Sequence, residues 1–504
     1  MSTSGALGVA LQGACKARPG ATAAQDATGA VTYAQLIDFA QHVSQCLHKA
    51  GLQPDEPVHV LVANRTADLA ALIGIWLAGG VAVPVHRSTP TAVAQAFHRQ
   101  TKARFQIEGR WDDQDADGAS MLTRLAANAP PLRLLLQDAA LVVFTSGSTG
   151  EPKGVVIGHR AFSSKIEQID LLLQFGASES TLLVLNITFS FGLWVGLLTL
   201  LRGGRLVMQP KFDVSMFVDA LQSERITRVG MVPTMMRLLF ASTRQHDSIA
   251  QVAQNGSLRQ ILVGGESLGA TLAATIRKTF AKTDLIDIYG LTETATCDFF
   301  AFPADYAAAP GSIGRPASNV RFRIVDAAGQ TTPPGGVGEL QLQSPHLMAG
   351  YLDRPELTAA AYQDGWFKTG DLARVLDAGY VELMGRQKEL IGRGGNKVTP
   401  VEIEQAATTH GDVAAAMAVG IDDALLGQRI ALLLVPRAGV ALDIGAVQAH
   451  LRDRLERFKQ PDVWFVQSDL PLGRTGKADR AQFKALIDAG VIDPIKSPLA
   501  ANPP

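Results

Sequence analysis

Apolar positions along the chain follow two alternating periods. Leu36, Phe39, Val43 and Leu47 share one helical face behind a Thr32–Gln35 capping-box spacing, and Gly51 stops the stretch. Residues 58–62 form a short β-branched run, 66–79 read as a helix, and 81–85 read as a second strand. This β-α-β rhythm predicts a parallel, doubly wound sheet. Two further apolar runs, 141–144 and 154–157, flank a polar loop. Phe162, Ile166, Ile169 and Leu173, spaced by four, three and four, predict the helix that follows. Residues 310–371 are rich in Gly and Pro turns with strand-like runs at 322–325 and 339–343, which predicts a β-rich subdomain. Beyond Gly385-Arg386 the composition becomes small and mixed α/β again, with Val447, Leu451, Leu455 and Phe458 predicting one helix. The tail from Asp493 carries four prolines and little pattern, and is expected to be loose.

Composition narrows the class. The 504 residues allow two or three domains and a sizeable core. At 47% apolar and 18% charged, the chain reads as globular rather than disordered. Lys plus Arg (46) nearly equals Asp plus Glu (47), which argues against a nucleic-acid binder. Cys15, Cys46 and Cys297 form no CxxC pair, so neither a disulfide framework nor a structural zinc site is expected, and a reducing cytoplasm fits. Residues 1–14 lack the basic and apolar regions of a signal peptide. The stretch 181–201 carries no charge and has the length of a membrane span. Asn186, Thr188, Ser190, Gly192 and Gly196 interrupt it, so a buried strand followed by a buried helix is expected and no membrane span.

The strongest local signal is Thr145-Ser146-Gly147-Ser148-Thr149-Gly150-Glu151-Pro152-Lys153-Gly154. Glycines let backbone N–H groups approach phosphate oxygens, hydroxyls add donors, and Lys153 adds charge. The loop is not a P-loop of the G-x-x-x-x-G-K-[ST] type, because Pro152 intervenes and a strand follows Lys153.

This segment resembles the phosphate loop of the adenylate-forming enzymes: acyl-CoA synthetases, peptide-synthetase adenylation domains and luciferases. The resemblance continues in order through Gly264-Gly265-Glu266, Tyr289-Gly290-Leu291-Thr292-Glu293, Gly338-Glu339-Leu340 with Gly350-Tyr351, residues 366–371, Gly385-Arg386, residues 394–404 and residues 471–477. It implies an α/β fold: a large N-terminal domain of doubly wound αβα layers plus the β-rich subdomain over 1–387, and a smaller mobile C-terminal α+β domain over 388–504. It also implies a reaction. ATP and a carboxylic acid give an acyl-adenylate and pyrophosphate, and a thiol then displaces AMP.

By the same resemblance, Thr292 donates to the α-phosphate and Glu293 holds Mg²⁺, although a Thr-Glu pair at a helix start needs no ligand. Tyr289 stacks on adenine or is a plain core tyrosine. Asp371 accepts the ribose hydroxyls or is a turn aspartate, and Arg386 reaches ribose or phosphates or is a surface arginine. Thr145 to Gly150, Lys153, Gly265, Glu266 and Gly290 join the nucleotide site. Lys477, in Gly473-Arg474-Thr475-Gly476-Lys477, bridges the acyl carboxylate and the α-phosphate. Lys388 matches the hinge, and Gly394-Gly395 would line the thiol tunnel once the small domain turns, where a β-carbon would obstruct a pantetheine arm.

The stretch 186–192 resembles the family's acyl-pocket motif. Amino-acid-activating relatives carry Asp at the Gly192 position to pair the substrate ammonium, and an unpaired buried ammonium would be costly, so an α-amino acid is not expected. Phe189, Phe191, Gly192 and Gly264 imply an apolar pocket for an aryl or aliphatic acid. Only 27 residues follow Lys477, so the expected acceptor is free coenzyme A, with the phosphopantetheine of a separate carrier protein as the alternative. A non-catalytic or membrane-associated binding protein is the reading from a different class.

Overall fold

The computed structural model describes residues 6–111, 121–145, 152–473 and 477–495. Two sheets with parallel strands at their centres form the large part of the chain. One has seven strands in the order Gly350–Tyr351, Lys153–Gly158, Ala139–Thr145, Val81–His86, Pro57–Val62, Phe105–Ile107, Leu122–Arg124. The other has nine, in the order Arg315–Pro316, Phe299–Ala301, Asp284–Tyr289, Gln260–Gly264, Arg228–Met231, Ser180–Leu183, Arg205–Met208, Thr22–Asp26, Gly29–Thr32. The parallel pairing predicted from the β-α-β rhythm holds in the middle of both sheets and fails at their margins. In three of the marginal antiparallel pairs the link is too short for a crossover. Ala139–Thr145 and Lys153–Gly158 make one such pair, with Thr145 opposite Lys153, so the polar loop is a hairpin connection rather than a strand–helix turn.

The helices between the sheets explain the charge-free stretch. Ser180–Leu183 is a central strand, and Ser190–Leu201 is a helix buried on nearly all sides. Thr66–Leu77 is buried in the same way. Both contribute to one core shared by the two sheets, so their apolarity faces protein all round. No helix among the described residues is long and apolar enough to cross a membrane. The helix Tyr33–Lys49 carries the expected capping box, with the Thr32 hydroxyl accepting from Gln35 N and the Gln35 amide oxygen accepting from Thr32 N. Its predicted apolar face is buried. Gly74 lets Thr66–Leu77 lie close against it, for a β-carbon there would sit 2.5 Å from the Ala40 carbonyl oxygen.

A five-stranded antiparallel sheet (Arg321–Val325, Gly338–Gln343, Trp366–Val375, Tyr362–Gln363, Val381–Arg386) is the β-rich subdomain. A second five-stranded sheet follows: Asn396–Val398, Ile391–Arg393, Gly427–Pro436, Val413–Asp423 and Val463–Val466. It has its own core around Ile403, Val413, Leu432, Val447 and Trp464. The predicted helix there ends at Arg452. Leu455 and Phe458 lie beyond it, because the chain turns into a short 3-10 segment, Arg457–Lys459.

Candidate active site

The site lies where the strand ends of the nine-stranded sheet meet the hairpin of the seven-stranded sheet, the β-rich subdomain and the C-terminal lobe. Strand Asp284–Tyr289 delivers Gly290 and the 3-10 turn Thr292–Thr294. The chain then folds back through three successive non-glycine residues with positive φ: Ala295 (52°), Thr296 (71°) and Cys297 (54°). Gly290 has to be glycine here, since a β-carbon would lie 2.2 Å from Cys297 N. Thr292 is therefore the first residue of a tight turn and not a helix cap; Leu291 holds the cap position.

Beneath this turn lies a fully buried ion pair. Lys165 Nζ sits 2.8 Å from Asp298 Oδ1 and donates to the Cys297 carbonyl at 3.1 Å, while Thr294 donates its hydroxyl to Asp298. Sequence reasoning read this helix only through its apolar face. The signal available was a lysine (Lys165) one residue before Ile166 on that face.

Glu293 accepts from the Tyr351 hydroxyl at 3.0 Å, and its carbonyl accepts from Met348 N at 2.7 Å. Lys153 Nζ lies 5.3 Å from the centroid of the Tyr351 ring. Tyr351 thus lies between Lys153 and the Glu293 carboxylate, a contact that the Gly350-Tyr351 motif alone did not point to. Thr145 and Lys153 face each other at the loop's base, while Ser146, Gly147, Ser148, Thr149 and Gly150 lie outside the described residues.

Asp371 is buried, and burial pushes its carboxyl above the usual range against the opposing pull of Arg386 and Tyr289. Its Oδ2 accepts from the Tyr289 hydroxyl at 2.7 Å, and its Oδ1 pairs with Arg386 Nε at 2.9 Å. Asp371 and Arg386 are register partners on Trp366–Val375 and Val381–Arg386, which is why 14 intervening residues return them to one point.

Gly264 ends strand Gln260–Gly264, and a β-carbon there would come within 3.3 Å of the Phe191 ring. Phe191 stacks on Trp194 with centroids 5.6 Å apart. Phe189 caps the same helix and is half-buried. Gly192 packs on the preceding loop, where a β-carbon would sit 2.6 Å from the Asn186 carbonyl oxygen. Gly265, at φ +84°, leaves space that Lys477 takes: a β-carbon would lie 2.7 Å from Lys477 Nζ. Glu266 accepts from Thr234 and from Ala478 N. Burial lowers the Lys477 pKa, Glu266 opposes that shift, and Arg386 reinforces it.

Lys388 and Gly394-Gly395 are not brought into this cluster. Lys388 is exposed in the 3-10 turn Gln387–Glu389. Gly394 and Gly395 form an exposed hairpin tip at φ +56° and +81°, and a β-carbon on Gly395 would meet no atom within 4 Å. Among the described residues no three His, Cys, Asp or Glu side chains cluster as a metal site.

The family description "AMP-binding enzyme" matches residues 11–352, and "AMP-binding enzyme C-terminal domain" matches 402–477. A feruloyl-CoA synthase of an Amycolatopsis species is 30% identical, over 91% of this chain and 94% of its own. An indoleacetate–CoA ligase of Aromatoleum aromaticum is 30% identical, over 93% of this chain and 96% of its own. In fold, the chain is similar to an anthranilate CoA ligase solved with anthranoyl-AMP (TM-score 0.83, 21% identity, 96% of this chain and 98% of that one). ATP-bound MatB of Rhodopseudomonas palustris is similar in fold as well (TM-score 0.82, 24% identity, 96% and 99%). With both family descriptions matched in order along the chain, and CoA ligases among its relatives, this protein belongs to the AMP-binding enzymes.

Proposed function

We propose that this enzyme activates an aryl carboxylic acid as its adenylate and passes the acyl group to coenzyme A. The observation that carries the reaction is Lys477, lodged against Gly265 where the two lobes meet. A carboxylate and a polyphosphate repel each other, so a cation fixed between them lowers the barrier as charge builds on the α-phosphate. Lys477 supplies that cation. Thr292 donates to the α-phosphate, Tyr289 packs on the base, and Asp371 with Arg386 receives the ribose. The acid's oxygen attacks the α-phosphorus and pyrophosphate leaves. In the second step the thiolate attacks the acyl carbon and AMP leaves.

Glu293 offers one half-exposed carboxylate already steered by Tyr351. A lone carboxylate suits Mg²⁺ that takes its other ligands from nucleotide phosphates and water, and the ion would neutralise phosphate charge. Lys153 adds a second cation on the same side.

The acid class rests on Phe191 lying against Gly264, with Trp194 stacked behind it. The feruloyl and indoleacetyl names of two relatives support an aromatic acid. We place the hinge at Lys388, so that residues 388–504 turn as one lobe and bring Gly394-Gly395 toward the thiol. Three free, buried cysteines and a thioester product support a cytoplasmic location.

ATP–pyrophosphate exchange with ferulate, indole-3-acetate, benzoate, octanoate and phenylalanine tests the reading. Aromatic acids should support exchange at least about tenfold above octanoate, and phenylalanine should support none; a preference for phenylalanine would overturn it. Coenzyme A and a phosphopantetheinylated carrier protein, offered as acceptors in parallel, identify the thiol.

A further inference from the structure

Glu266 follows directly on Gly264-Gly265, and its carboxylate is engaged from two sides. From its own lobe, Thr234 donates its hydroxyl (2.7 Å to Oε2, 3.0 Å to Oε1) and its N–H (3.2 Å to Oε2). Arg237 Nη1 lies 3.6 Å from Oε2. From the C-terminal lobe, Ala478 N donates to Oε1 at 2.9 Å. That N–H belongs to the peptide bond joining Lys477 to Ala478, so the contact holds the backbone of the lysine whose amine rests against Gly265.

The same segment has a second anchor of a different kind. Arg480 pairs with Glu389 at 2.9 Å and with Glu404 at 2.9 Å, while Glu404 also accepts from Ala418 N at 2.7 Å. Glu389, Glu404 and Ala418 all lie beyond the Lys388 hinge. If the lobe turns there, the Arg480 anchor travels with it, and the Glu266–Ala478 contact breaks. A contact present in only one of two arrangements shifts the balance toward that arrangement, whereas a contact present in both does not.

We propose that Glu266 is a positioning residue for Lys477, and that its carboxylate biases the mobile lobe toward the arrangement that forms the acyl-adenylate. This rests on the adenylation and thioester reading given above. It assigns the Glu266 oxygens to the lobe interface, where the family resemblance had grouped them with the nucleotide. Loss of Glu266 should therefore slow one half-reaction and leave ATP affinity alone. One hydrogen bond to a charged acceptor corresponds to a factor of about 10 or more.

The test measures the two half-reactions separately in Glu266→Ala and Glu266→Gln, using the aromatic acid that supports most exchange and its synthetic acyl-adenylate. In Glu266→Ala, acid-dependent pyrophosphate exchange should fall about tenfold or more, with the KM for ATP within about twofold of wild type. Thioester formation from supplied acyl-adenylate and coenzyme A should be equal or faster. Glu266→Gln, which keeps an acceptor for Ala478 N, should recover part of the exchange. In a Lys477→Ala background, adding Glu266→Ala should change residual exchange less than about twofold, since the two act through one point. Equal losses in both half-reactions, a raised KM for ATP, or a full tenfold further loss without Lys477 would overturn the proposal. Those results require a wild-type enzyme that exchanges; a wild type that exchanges with no acid removes the reaction itself, and the positioning role falls with it.

Discussion

Tyr289 donates its hydroxyl to Asp371 at 2.7 Å, and this bond joins the end of a nine-stranded-sheet strand to the β-rich subdomain. It fixes the ring of Tyr289 at the end of strand Asp284–Tyr289 and orients a carboxylate whose other oxygen pairs with Arg386. Asp371→Asn keeps the shape but weakens the Arg386 pair and, in the proposed function, the hold on a ribose. It should lower kcat/KM for ATP about a hundredfold, with Tyr289→Phe about tenfold, since a buried charged acceptor costs more to disturb than one neutral donor. Initial-rate kinetics over ATP concentration check this. Wild-type kinetics in Asp371→Asn would remove Asp371 from the nucleotide site.

The lowered pKa of Lys477 has a direction in activity. Burial is the main cause, Arg386 adds to it, and Glu266 opposes it. In the proposed function the working form is the ammonium, so adenylation should fall as pH rises through a value below the 10.5 of an ordinary lysine. Lys477→Arg stays charged across that range and should lose this alkaline limb at reduced rate. A pH profile of pyrophosphate exchange reads it, and an identical limb in Lys477→Arg would assign the titration to another group.

Much of this organisation was legible in sequence. Period and capping located Tyr33–Lys49, and short β-branched runs located the central strands, because those elements bury one predictable face. The ordered motifs brought Tyr289, Thr292, Glu293, Asp371, Arg386 and Lys477 to attention. What a linear pattern lacks is the third dimension. Tyr351 bridging Glu293 to Lys153, and Glu266 holding the peptide after Lys477, each join residues far apart in the chain. Nothing in their local spacing reports the meeting. The left-handed run Ala295–Cys297 was equally hidden, as it uses no glycine or asparagine to announce itself.

That left-handed run needs support, and the Lys165–Asp298 pair supplies it. Both side chains are fully buried, so removing one leaves an uncompensated charge. Lys165→Met should cost about 3–5 kcal/mol of stability. Lys165→Met with Asp298→Asn should recover part of that loss, because the second change removes the orphaned carboxylate. Urea unfolding of the wild type, the single variant and the double variant measures it. A single variant as stable as wild type would show that the pair does not hold the turn.

Three buried histidines set a response to acid. Burial lowers His59 to about 3, and His159 and His346 to about 4. Unfolded, each takes up a proton near 6.5; folded, each resists protonation until those lower values. The unfolded state therefore binds more protons below pH 6.5, and stability falls as pH drops from about 6.5 toward 4. Each histidine contributes up to about 1.4 kcal/mol per pH unit in that window. Unfolding midpoints at pH 7, 6 and 5 should decline, and His346→Gln should decline less steeply. Constant stability from pH 7 to 5 would contradict this.

The most direct measurement is a pair of rates in Lys477→Ala: pyrophosphate exchange with an aromatic acid, and thioester formation from the matching acyl-adenylate with coenzyme A. The account predicts exchange reduced at least about a hundredfold and thioester formation close to wild type. Equal reduction of both rates, or exchange that survives the substitution, would contradict it.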